Sequence, residues 1–94
     1  MRKTYLLVFS DSFGTREQVK AALETMPIIE KWRYDMMPAF YLVSTASADL
    51  IASELMSRIP TRGRFIVAEV NINKQGWLTP GSWHLMNTHE YLPE

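Results

Sequence analysis

Three stretches of nearly continuous apolar sequence, residues 4–10, 39–45 and 65–71, are separated by two segments with helical spacing of their apolar positions. A fourth stretch, residues 30–35, alternates apolar and polar. Together they predict an α+β fold, a four-stranded antiparallel sheet carrying two helices on one face. With 94 residues, 47% of them apolar and 21% charged, the chain has the composition of one globular domain and too little length for a second core.

Residues 4–10 form the strand around which the rest is arranged. A strand with one wet face alternates, so the unbroken run Tyr5-Leu6-Leu7-Val8-Phe9 predicts a strand covered on both faces in the middle of the sheet. Asp11-Ser12-Phe13-Gly14 then reads as a strand-to-helix turn. Thr15-Arg16-Glu17-Gln18 has the form of a capping box, and Val19, Ala22, Leu23 and Met26 make one apolar stripe before Pro27 closes the helix.

In residues 30–35 the alternation places Trp32 and Tyr34 on one face and Lys31, Arg33 and Asp35 on the other. Met36-Met37-Pro38 is a turn leading back into residues 39–45, which predicts an antiparallel hairpin. Ser47 caps a second helix, with Asp49 in its first turn, Ala48, Ile51, Ala52, Leu55 and Ile59 on its buried side and Pro60 at its end. Residues 65–71 supply the last strand. The order β, α, β, β, α, β with right-handed crossovers is that of a ferredoxin-like βαββαβ sandwich over residues 1–71.

Residues 72–94 are too apolar to be a discarded end. They hold two of the three tryptophans, and Thr79-Pro80 suits the cap and first position of a short helix over about residues 81–86. This aromatic C-terminal extension is expected to pack on the sheet or on a partner subunit through Trp77, Leu78 and Trp83. An open sheet face plus such a tail predicts a homodimer.

Ten basic and ten acidic residues leave no formal charge, which argues against nucleic-acid binding through a general positive field. No cysteine is present, so a disulfide framework, a thiolate metal site and a cysteine nucleophile are excluded. Arg2-Lys3 before an apolar run imitates a signal peptide, but the run is too short, and no stretch approaches the ~20 apolar residues of a membrane span. A cytoplasmic protein without a membrane partner is expected. No motif implies a cofactor: the glycines stand singly, and no nucleophile elbow or phosphate loop occurs.

The candidate sites follow from this layout. Asp11, with Ser10 and Ser12, closes the central strand, where two subunits could share a metal between carboxylates; the same short polar side chains also serve turns. Arg58, Arg62 and Arg64 form the local basic cluster and, with Lys31 and Arg33, could track a phosphate backbone. His84 and His89 miss the spacing that puts two metal ligands on one helix face. Trp32, Tyr34 and Tyr41 could line a cavity for a small aromatic molecule, as in dimeric ferredoxin-like monooxygenases, or simply pack at an edge.

The strand from Tyr5 to Ser10, the Ser47-Ala48 helix start, the strand from Phe65 ending in Glu69-Val70 and the Gly76-Trp77-Leu78 tail resemble the SinR-like family of small bacterial proteins. Those proteins in turn look like the small metal-dependent nuclease-like component of CRISPR adaptation. The resemblance implies a ferredoxin-like homodimer, tails that cross onto the partner sheet, and an ancestral association with nucleic acid. In the nuclease-like relatives an Asp closes the first strand; the matching residue here is Ser10, a poor ligand for a hard cation. Asp11, one residue on, would serve only with a re-aimed turn. The expectation is therefore a nucleic-acid-associated protein without strong catalytic activity, the alternatives being a metal-dependent nuclease using Asp11 and an enzyme or sensor that binds a small aromatic molecule.

Overall fold

Residues 1–93 are described by a computed structural model. Its strands are β1 (Lys3–Phe9), β2 (Lys31–Arg33), β3 (Ala39–Ser44) and β4 (Phe65–Val70), and its helices are α1 (Arg16–Glu24), α2 (Ala48–Arg58) and α3 (Pro80–Thr88). The strands form one sheet in the order β2-β3-β1-β4, every neighbouring pair antiparallel. The apolar run of β1 does lie inside the sheet. No helix among the described residues is long and apolar enough to cross a membrane.

Alternate residues of each strand go to opposite faces, and the sheet is covered on one by α1 and α2 and on part of the other by α3. On one face Tyr5, Leu7 and Phe9 of β1 and Phe40 and Leu42 of β3 meet Val19 and Leu23 of α1, Met26 just after it, Ile51 and Leu55 of α2 and Ile59 at its C-cap. This is the larger core, and each fully buried Leu or Ile in it is worth about 1.5–3 kcal/mol of transfer free energy. On the other face Tyr41 and Val43 meet Leu85 and Met86 of α3, with Leu6, Val70, Leu78 and Trp83 around them. All of β3 is buried for this reason, which explains its continuous rather than alternating pattern.

Local signals set the helix ends. The capping box is present in full: Gln18 N donates to Thr15 Oγ1 at 3.1 Å and Thr15 N to Gln18 Oε1 at 2.9 Å. Leu50 N donates to Ser47 Oγ at 3.1 Å to start α2. The third helix departs from expectation. It runs to Thr88, past Met86, and ends on His89 in the left-handed conformation at φ 61°. The Thr79 side chain does not cap it.

β2 is shorter than the six-residue alternation implied, because Tyr34 and Asp35 leave the ladder and Asp35 turns to the start of α3. β4 likewise ends at Val70 rather than Asn71. Ahead of β4 the chain passes hard against the turn after β1: a Cβ at Gly63 would lie 2.1 Å from Phe13 N, so only glycine permits this approach. Thr61 Oγ1 secures the crossing by donating to Phe13 O at 2.8 Å.

Candidate functional site

At the end of β1, Ser10 is bound into the backbone of the next strand. Its amide and its hydroxyl both donate to Arg64 O, at 2.9 and 3.1 Å, and Arg64 N donates back to Ser10 Oγ at 3.2 Å. Ser12 Oγ lies 2.7 Å from Ser10 Oγ. Ser10 therefore fastens β1 to β4. Asp11 beside it is exposed. No group of three His, Cys, Asp or Glu side chains gathers around it or anywhere else among the described residues.

The five basic residues expected to track phosphates do not form one path. Lys31 pairs with Glu90 at 3.3 Å on the α3 side of the sheet. Arg58 is tied to Glu54 at 2.8 Å and to Thr25 O at 3.1 Å, where it joins α2 to the end of α1. Arg33 is occupied at the start of α3. Arg62 and Arg64, both exposed, are the two whose guanidinium groups stay uncommitted among the described residues. The three aromatic candidates also separate. Trp32 and Tyr34 stack on each other at 6.3 Å beneath Arg16 and Lys20. Tyr41 is on the opposite face under α3. They line no common cavity.

Residues 33–35 and 79–82 make the most elaborate polar cluster. Asp35 Oδ2 accepts from Thr79 N at 3.0 Å, Thr79 Oγ1 at 2.8 Å and Ser82 Oγ at 2.7 Å, so a carboxylate from the turn after β2 braces the start of α3, where the helix dipole favours it. Arg33 Nε donates to Ser82 Oγ at 2.9 Å and Nη2 to Thr79 Oγ1 at 3.1 Å. The planar guanidinium lies on Gly81, where a Cβ would come within 2.8 Å of Arg33 Cζ. The Ser82 hydroxyl, then those of Thr79 and its amide, hold the Asp35 carboxyl below its ordinary range. Behind this cluster Tyr41, 3% exposed, keeps a hydroxyl with no partner among the described residues. Burial, and next the Asp35 charge, push its phenol up. The cluster is a structural clasp: its polar groups are spent on one another and fix the start of α3 to the end of β2.

At the far end of α3, Glu90 pairs with Arg2 at 3.0 Å as well as with Lys31. Arg2 and then Lys31 lower its carboxyl. Tyr91 closes the outer side of β2, its hydroxyl accepting from Trp32 N at 3.1 Å and donating to Trp32 O at 3.0 Å. Of the tail residues expected to dock, Leu78 and Trp83 pack at the margin of the smaller core. Trp77 does not pack on its own sheet: it is 94% exposed, on the loop that returns from β4 to α3. Asp35, Ser82 and Tyr91 carry the docking and were not singled out in the sequence. Alternation puts Asp35 and Arg33 opposite Trp32 and Tyr34, which does not show that α3 covers that face.

The opposite flank of the sheet is bare. α3 covers β3 and part of β1, which leaves Val8 half-buried, Ala68 exposed and Ile66 62% exposed. A shallow apolar depression of about 370 Å³ lies there, between the ends of β1 and β4 from Val8 to Ser10 and from Arg64 to Ile66. A larger open groove of about 530 Å³, between the ends of α1 and α2, holds Arg58 but brings no reactive groups together. No family model, no curated protein and no solved structure matches the chain.

Proposed function

We propose that the protein is a homodimeric binding module, a ferredoxin-like sandwich extended by α3 and SinR-like in kind, associated with nucleic acid and without strong catalytic activity. The observation that carries the reading is the bare flank of the sheet. Ile66 and Ala68 sit on an edge strand beside Val8, and apolar surface of that kind on an open sheet edge is the usual mark of an association surface. The strand order and the placement of α1 and α2 on one face support the ferredoxin-like assignment. Ser10 in the position of a metal ligand, spent on Arg64, and Asp11 isolated within the chain speak for binding over nuclease chemistry.

Sedimentation equilibrium tests the assembly. A species at twice the 10.9 kDa subunit mass is expected at about 100 µM, and a monomer at that concentration would end the homodimer reading. Association with nucleic acid is supported by Arg62 and Arg64, the uncommitted cations, which stand together at the start of β4. Gel shifts with short RNA and DNA at low salt should show binding whose salt slope falls by about one for each of Arg62→Ala and Arg64→Ala. No shift at any salt would remove nucleic acid from the proposal and leave the dimer standing.

A further inference from the structure

We infer that two copies join by antiparallel pairing of β4 with β4, the two-fold axis passing through Val67, so that one sheet runs through both subunits. This rests on the homodimer reading and specifies its surface. The direction of the backbone groups comes first. Ser10 N donates to Arg64 O and Phe9 N donates to Pro38 O. Even-numbered residues of β1 thus bond to β4 and odd-numbered ones to β3. With Val8 opposite Ile66, Leu6 opposite Ala68 and Thr4 opposite Val70, the even residues of β4 turn their amides and carbonyls to β1. Those of Phe65, Val67 and Glu69 point outward, and none of them has a hydrogen-bond partner among the described residues.

A strand with that pattern is complementary to itself in one register. When Val67 faces Val67 of a second copy, Phe65 faces Glu69, and each of these pairs exchanges both hydrogen bonds. A two-fold axis at Ile66 or Ala68 leaves Glu69 or Phe65 without a partner inside the strand. The Val67 register sets no like charges opposite each other: Ile66 meets Ala68, and Arg64 meets Val70. It also lays exposed Ile66 beside another apolar side chain.

Glu69 is the single charge on β4, and the other devices that protect an edge are missing. The strand has no proline, no lysine and no bulge, its register with β1 being unbroken from Thr4–Val70 to Phe9–Phe65. The other edge is sealed by Tyr91. One consequence bears on chemistry. Antiparallel pairing sends the two β1–α1 turns to opposite ends of the shared sheet, with the Asp11 positions about 26 Å apart along the strands, so the two Asp11 carboxylates cannot hold one metal between them.

The absence of native cysteine makes the test direct. In this register the two Val67 Cα atoms lie about 5.5 Å apart, within disulfide range. Under mild oxidation the full-length Val67→Cys variant should become a covalent dimer, at least about tenfold faster than Ile66→Cys or Ala68→Cys, which report the neighbouring registers. A measurement without substitution accompanies it: amide exchange at Phe65, Val67 and Glu69 should slow at least about tenfold between about 1 and 100 µM, with Ile66 and Ala68 unchanged. A wild-type dimer in which Val67→Cys fails to cross-link and these amides stay unprotected would overturn the β4 pairing while leaving the homodimer. A wild-type monomer at about 100 µM overturns both.

Discussion

At the β2 edge, a strand of three residues is sealed by the hydroxyl of Tyr91, 59 positions further along the chain, and backed by a helix clasped at both ends. At the β4 edge, a strand of six residues stands open, with Ile66 in solvent and every second backbone unit unpaired among the described residues. The same tail accounts for both: by folding back over β3 and β2 it covers one flank and cannot reach the other. Exposed edges invite pairing, so a chain that protects only one of them has left the other available for association.

Several substitutions break or sharpen this contrast. The largest effect is expected for Leu85→Ala, which empties the centre of the smaller core. The loss should be about 2–5 kcal/mol by denaturant unfolding, with α3 detached and Trp83 fluorescence shifted to the red. If the unfolding curve were unmoved, the tail would not be part of the domain.

Removing the clasp comes next. Asp35→Ala leaves Ser82 and the amide of Thr79 without their acceptor and should cost about 1–3 kcal/mol. The same carboxylate gives the pH dependence its sign. Its folded value lies below the ordinary 3.8, so its contribution is complete above that value and is lost as the pH falls through the folded one. Tail docking, followed by Trp83 fluorescence, should be flat from about pH 8 to 5 and weaken only in stronger acid; Asp35→Asn should diminish that acid step and leave the part carried by Glu90.

Tyr91→Phe should cost about 0.5–1.5 kcal/mol and raise the exchange rate of the Trp32 amide, without touching the amides of β4. Acceleration at both edges would mean that the edges are not independent. The smallest effect is expected at Trp77. Being 94% exposed, it should give less than about 0.5 kcal/mol on Trp77→Ala in the monomer, in contrast to the large loss that its size alone would suggest.

Trp77 and Trp83 show where reading the sequence stops being enough. Both are large aromatics in a terminal segment six residues apart, and the Thr79-Pro80 signal puts only Trp83 on a helix without saying what that helix packs against. What separates them is that Trp83 lies on the helix packed against Tyr41 and Val43, while Trp77 lies on the loop before it. The basic residues teach the same lesson. Arg33, Lys31 and Arg58 look like Arg62 and Arg64 in sequence, yet the first three have intramolecular acceptors supplied by distant residues or by another element.

The sequence by itself determined the elements and their order, because their causes are local. The unbroken apolar run of β1, the Thr15–Gln18 capping box, the Ser47 cap and the prolines after both core helices act within a few residues. It also placed β1 inside the sheet, although the similar apolar run of β4 lies at an edge with one face open. The tertiary structure alone decided where the tail goes, which edge is closed and which side chains remain free. Those outcomes depend on contacts between residues 44 to 59 positions apart, such as Asp35 with Thr79 and Trp32 with Tyr91. Whether such a pair meets is set by the packing of α3 on β3, a property of the assembled sheet that no short window of sequence contains.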